Sequence, residues 1–214
     1  GMSFADFSME RVFRPLGMTQ TEWRDDFNEV VPERATAYRP DPRQPEGWSQ
    51  LMPFEDVHGN GGLLTTVGDL LRFTHELHTG EVLGREWADA MHLEGLLNNG
   101  AASGYAGGLF IGDWRGIAQV QHSGSTAGYR GHLTRFPDHG FALAVMCNAA
   151  NGNAGGHLYQ VAELYLADHL VDERPAPPAE RITLDETALD ALAGLYRDTR
   201  TGAPLTVQSA DGTL

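Results

Sequence analysis

The stretch His122-Ser123-Gly124-Ser125 brings an imidazole, two hydroxyls and a glycine into four residues, between segments that read as β-strands. An imidazole with an ordinary pKa of ~6.5 takes up or releases a proton near neutrality. A glycine lets another group approach the backbone closely, where a side chain would obstruct it. These residue types fit one wall of an active site. The competing reading is a Gly-rich hairpin that merely carries a histidine.

The nucleophile for such chemistry is harder to find. All 15 basic residues are arginine and the sequence holds no lysine, so no lysine amine is present to activate a serine. The nearest mimic, Ser8-Met9-Glu10-Arg11, offers a guanidinium that cannot act as a base. Ser8 therefore reads as a surface helix residue, as does Ser3. The run His75-Glu76-Leu77-His78 is close to a His-Glu-x-x-His zinc pattern, but its histidines stand three apart and no third ligand is indicated. Both histidines read as solvent-facing or helix-capping, and His58, His92, His132, His139, His157 and His169 as hydrogen-bonded structural residues. Cys147, in the apolar run "FALAVMCN", reads as a buried, inert thiol. Strand alternation places Arg130, His132 and Thr134 on one face and Arg135 on the other. Each arginine reads as a surface residue, with steering of an acidic substrate group as the alternative. Trp23, Tyr38, Trp48 and Phe54 either line a substrate pocket or fill a core beneath a loop.

These groups need a scaffold, and the composition supplies one. A chain of 214 residues with 41% hydrophobic and 21% charged residues is long and apolar enough to bury a core. Its 29 acidic against 15 basic residues give a net charge of -14, which opposes nucleic acid and anionic membrane as partners. One cysteine excludes an intramolecular disulfide and a multi-cysteine zinc site. No stretch approaches the roughly 18 to 20 apolar residues that cross a bilayer. The polar-interrupted N-terminus is no secretory signal, which leaves cytoplasm and periplasm both open.

Along the chain, Phe4, Phe7, Met9, Val12 and Phe13 share one side of a helical wheel, ended by Pro15 and Gly17. Residues 18 to 56 lack periodicity and predict a long irregular loop with short strands. Thr66 can cap a helix with Asp69 at N3, a stripe of Leu70, Leu71, Phe73 and Leu77, and Gly80 as its stop. A second helix is predicted from Arg85 to about Leu93. The segments "GYAGGLFIG", "GIAQVQH", "RGHLTRFPD" and "GFALAVMCNA" predict an antiparallel meander, with the last as a central strand because it is apolar almost throughout. A helix follows from Gly155 to about Leu170, then a Pro-rich linker. After Asp211-Gly212 only Thr213 and Leu214 remain, so the chain reads as cut within an element at both ends. Gly1-Met2 nevertheless has the look of a start methionine behind a remnant.

In this order the segments "SFADFSMERVFRPLGMTQT", "GNGGLLTTVGDLLRF", "GYAGGLFIGDWRG" and "HSGSTAGYRGHLTRFPDHGFALAVMCNA" resemble the C-terminal part of the serine β-lactamase-like hydrolases. That superfamily comprises class C β-lactamases, D-alanyl-D-alanine peptidases and esterases, and the likeness covers about residues 3 to 170. The segment "LAGLYRD" is similar to the start of the small β-domain that often follows them. The resemblance implies three motifs: Ser-x-x-Lys, Tyr-x-Asn or Tyr-x-Ser, and Lys/His-x-Gly on an edge strand. Only the third is here, as His122-Ser123-Gly124. By resemblance His122 assists the proton relay and orients the substrate, Ser123 faces the cleft, and the N–H of Ser125 is the second oxyanion donor. Histidine gives less fixed positive charge than lysine, which weakens the case for substrates bearing a carboxylate.

The resulting expectation is an α/β (α+β type) fold, the C-terminal half of the β-lactamase/transpeptidase-like fold, with an antiparallel sheet, flanking helices and the start of a small β-domain. Residues 1–172 form the partial hydrolase domain, 173–184 the linker and 185–214 the beginning of the β-domain. The function is that of a fragment of a serine hydrolase acting on an ester, peptide or lactam bond, inactive alone, without cofactor or metal. The alternative is a non-catalytic binding module from the same family. Expected partners are a small-molecule or peptide substrate and a missing N-terminal segment or another chain. Self-association is also expected, because a half-fold leaves an apolar sheet face uncovered.

Overall fold

The hydroxyl of Ser3 accepts a hydrogen bond from the N–H of Asp6 and so opens helix α1 (Phe4–Ser8), which runs directly into a π-helical turn, Met9–Phe13. The architecture is that of a computed structural model, which describes residues 1–214 except 25, 27, 54–57, 60, 172–183, 200, 211 and 214. The wider π turn breaks the single apolar stripe expected here. Phe13 is buried, whereas Phe4 and Phe7 are half exposed, Phe4 packing on Trp23 with ring centroids 5.2 Å apart. Ser8 is buried rather than on the surface, its hydroxyl donating to the carbonyl of Phe4 at 2.8 Å.

The long loop carries three short strands, β1 (Glu22–Trp23), β2 (Tyr38–Pro40) and β3 (Trp48–Gln50). β2 pairs with β3, and β1 pairs with β4 (Leu63–Leu64). Helix α2 (Val67–Thr79) is capped as its sequence predicts, by Thr66 at the start and by Gly80 with φ 62° at the end. Its buried face differs from the expected stripe. Leu77 is buried, but so are Asp69 and Glu76, because both carboxylates staple flanking loops. Asp69 accepts from the N–H of Gln20 and the hydroxyl of Thr21, each at 2.8 Å. Glu76 accepts from the N–H groups of Val82 and Leu83, the latter at 2.6 Å. Helix α3 (Arg85–Met91) follows.

The main sheet is a four-stranded antiparallel meander of β5 (Phe110–Trp114), β6 (Ile117–Thr126), β7 (Tyr129–Phe136) and β8 (Phe141–Cys147), in that spatial order. Among the described residues β8 is therefore an edge strand, not the central strand that its apolar run predicts. A continuous apolar run reports two covered faces, not two paired edges. Cys147 is half-buried and free. Helix α4 (Ala154–Leu166), capped by Asn153, buries Leu158, Ala162 and Leu166. Ile117, Phe136, Ala162 and Leu166 form one core between the sheet and α4. Leu77, Leu109 and Val120 form another on the opposite side of the sheet.

Backbone bonds tie the long loop to the sheet. The N–H of Tyr38 donates to the carbonyl of Asn148 at 2.9 Å, Ala150 to Tyr38 at 2.7 Å, and Gly128 to Leu51 at 2.9 Å. A Cβ at Gly128 would lie 2.8 Å from the carbonyl oxygen of Tyr38, so only glycine allows this approach.

The residues above fall in a compact unit of Gly1–Glu94 and Gly104–Val171. A second unit comprises Gly95–Ser103 and the described part of Asp172–Leu214. In it, α5 (Glu186–Leu192) precedes β9 (Gly194–Arg197) and β10 (Pro204–Val207), which pair with each other. The expected linker lies largely outside the described residues. No helix among the described residues is long and apolar enough to cross a membrane.

Candidate active site

Strand β6 outruns its neighbour. Its pairing with β5 ends at Phe110 opposite Gln121, while its pairing with β7 continues to Thr126 opposite Tyr129. Two-residue turns close both hairpins, so the flanking pairs Trp114–Ile117 and Thr126–Tyr129 are the hydrogen-bonded ones. Alternation then turns the N–H and C=O groups of odd-numbered β6 residues toward β5 and those of even-numbered residues toward β7. The backbone groups of Ser123 and Ser125 consequently point to the side where β5 has already ended.

Side chains alternate by the same count. Ser123 lies opposite His132 and Ser125 opposite Arg130, on the face that α4 covers. His122 and Gly124 share the other face with Val120, which packs beside Leu77 of α2. Ser123, Gly124 and Ser125 are exposed and His122 is half-buried. Tyr105 and Phe110, which are bridged to each other, frame the His122 ring. The Tyr105 hydroxyl stands 3.1 Å from His122 Nε2, and the Phe110 ring stacks on the imidazole with centroids 5.4 Å apart at 27°. Tyr105 and Phe110 meet edge to face at 4.7 Å. Neither aromatic is singled out by sequence spacing; only the Gly-flanked context "GYAGG" marks Tyr105 as a place where chain direction changes.

On the α4 face, His132 sits against Tyr159 at 5.5 Å, and a Cβ at Gly155 would come within 2.9 Å of its Nδ1. Its Nε2 is buried without a hydrogen-bond partner, so the expected hydrogen-bonded histidine is not what this position holds. Burial, and then the charge of His122, hold the His132 pKa below the ordinary value. Ser123, Ser125, Arg130, His132 and Asn153 line an open concavity there. Arg130 folds back on its turn, donating to the carbonyls of Ala127 and Tyr129 at 2.9 and 2.6 Å.

Arg135 is not a surface residue. It is buried on the α2 side, where its Nη2 stands 2.6 Å from His92 Nε2. His92 Nδ1 lies 2.7 Å from the carbonyl of Ala88, so that nitrogen carries the proton and Nε2 accepts from the guanidinium. Burial, followed by the charge of Arg85, lowers the Arg135 pKa. His75 is exposed, 3.8 Å from the Glu81 carboxylate. No group of three or more His, Cys, Asp or Glu among the described residues is placed to hold a metal ion. Tyr38 and Trp48 are partly exposed on the β2–β3 hairpin, Trp23 packs on Phe4 and His58, and Phe54 lies outside the described residues.

A family model described as Beta-lactamase matches residues 1–166. The chain is 26% identical over 216 residues to penicillin-binding protein 4* of Bacillus subtilis (strain 168), covering 92% of this chain and 46% of that protein. It is 27% identical over 227 residues to penicillin-binding protein 4 of Amycolatopsis lactamdurans, covering 95% and 56%. The chain thus spans about half the length of the curated relatives it matches. Its fold superposes on an octameric penicillin-binding protein homologue from Pyrococcus abyssi with a TM-score of 0.66 at 24% identity, over 99% of this chain and 47% of that one.

Proposed function

The chain belongs to the beta-lactamase family, with the serine-hydrolase fold of that family, and from that premise we propose that residues His122 to Ser125 form the second wall of an acyl-transfer site. The reaction is hydrolysis of an ester, peptide or lactam bond through a serine acyl-enzyme. In this reading the N–H of Ser125 is one oxyanion donor, Ser123 lends its backbone groups to the cleft, and His122 relays a proton and orients the substrate. The serine, its lysine and the Tyr-x-Asn or Tyr-x-Ser motif come from a segment outside this sequence, and the 214-residue chain is inactive by itself.

The observation that supports this reading most is the overhang of β6. Its outward N–H groups at Ser123 and Ser125 stand beyond the end of β5, and the space beside Gly124 is open, with nothing within 4 Å of where a Cβ would sit. Donors aimed at a fixed point cost no reorganisation when charge develops, and removing one typically slows acyl transfer by about 10²- to 10³-fold. The net charge of -14 and a histidine in place of a lysine favour neutral esters and amides over substrates with a carboxylate. Residues 185–214 begin a further β-domain in this reading. Because the Pyrococcus homologue is octameric, self-association of this chain is part of the proposal. The test is incubation of the purified chain with nitrocefin and p-nitrophenyl esters: no turnover is expected. Turnover that disappears in His122→Ala overturns the claim that the nucleophile lies elsewhere.

A further inference from the structure

Resting on that assignment of His122, we infer that Tyr105 is its positioning residue, holding the imidazole through a hydrogen bond from the phenol to Nε2. The hydroxyl is 3.1 Å from Nε2. A phenol donates more readily than it accepts, because its oxygen lone pair is delocalised into the ring, whereas the unprotonated imidazole nitrogen is a good acceptor. The bond therefore runs from Tyr105 O–H to Nε2, and the proton of neutral His122 resides on Nδ1.

Packing supports a positional role. Tyr105 is 37% exposed and Phe110 44% exposed, and neither belongs to the two buried cores. Phe110 stacks on the imidazole face and Tyr105 meets both rings, so the three fix one another. The bridge between Tyr105 and Phe110, with the bond from the N–H of Ile111 to the carbonyl of Gly104 at 2.9 Å, holds the backbone behind them.

The experiment is ¹H–¹⁵N NMR of the histidine rings in the 214-residue chain and in Tyr105→Phe, with the His122 signal assigned by its loss in His122→Ala. Tyr105→Phe keeps the ring and removes only the hydroxyl. The wild-type chain is expected to show the Nδ1–H tautomer at His122. In Tyr105→Phe that preference is lost and the ring becomes a mixture of the two tautomers. A tautomer unchanged in Tyr105→Phe overturns the inference, and so does an Nε2–H tautomer in the wild-type chain, which needs no variant to detect. Neither result touches the hydrolysis test above, so the two claims fail separately.

Discussion

The two halves of β6 are built from one strand and meet different fates. From Ile117 to Gln121 the strand is paired with β5, and at Val120 and Gln121 with β7 as well, and Ile117 and Val120 go into cores on opposite faces of the sheet. From His122 to Thr126 it is paired only with β7, and Ser123, Gly124 and Ser125 are exposed. The difference comes from where β5 begins, not from β6 itself. A neighbour that starts late turns the same strand from core into a candidate site, because outward N–H groups that would have joined a ladder stay available to a ligand.

The sharpest way to break that comparison is to cut into the paired half. Ile117→Ala removes a side chain that is 6% exposed between Phe136, Ala162 and Leu166. It should cost about 2–5 kcal/mol in urea unfolding, and a loss below 1 kcal/mol would erase the distinction between the halves. Gly128→Ala tests the tip of the open half, since its Cβ would lie 2.8 Å from the Tyr38 oxygen and 2.9 Å from the Tyr38 nitrogen. A cost of about 1–3 kcal/mol is expected, with loss of the loop's backbone tethers visible by hydrogen exchange.

His132 adds a pH dependence from beneath the same strand. Its folded pKa is held below the ordinary ~6.5 by burial and then by the charge of His122. The unfolded chain therefore binds the proton more readily, and the contribution is fully present above ~6.5 and lost as pH falls from there through the lower folded value. Acid unfolding midpoints measured between pH 7.5 and 5 should show a slope of at most about 1.4 kcal/mol per pH unit from this residue, flattened in His132→Gln. The smallest effect belongs to the open half. Ser125→Ala, at an exposed position, should change stability by no more than about 0.5 kcal/mol, and a large loss would show that these residues serve the fold.

Much of this was legible in order and type. Thr66, Asp69 and Gly80 delimit α2 because capping is local chemistry, and the punctuated meander is local too. What the sequence hides is decided at a distance. The depth of Asp69 and Glu76 depends on loops that bring N–H groups to them. The burial of Arg135 depends on His92, 43 residues away. The edge position of β8 depends on pairing that an apolar run does not encode. At the site, the motif His122 to Ser125 stands out by composition, but Tyr105 is brought to it only by the fold-back onto β5.

The most direct test joins the chain at its N-terminus to a segment carrying Ser-x-x-Lys and Tyr-x-Asn and follows p-nitrophenyl ester hydrolysis with and without His122→Ala. The account predicts no turnover from the chain alone. It predicts turnover from the joined protein, and a fall of about 10²-fold or more when His122 is removed. A joined protein that is active and indifferent to His122→Ala would contradict it.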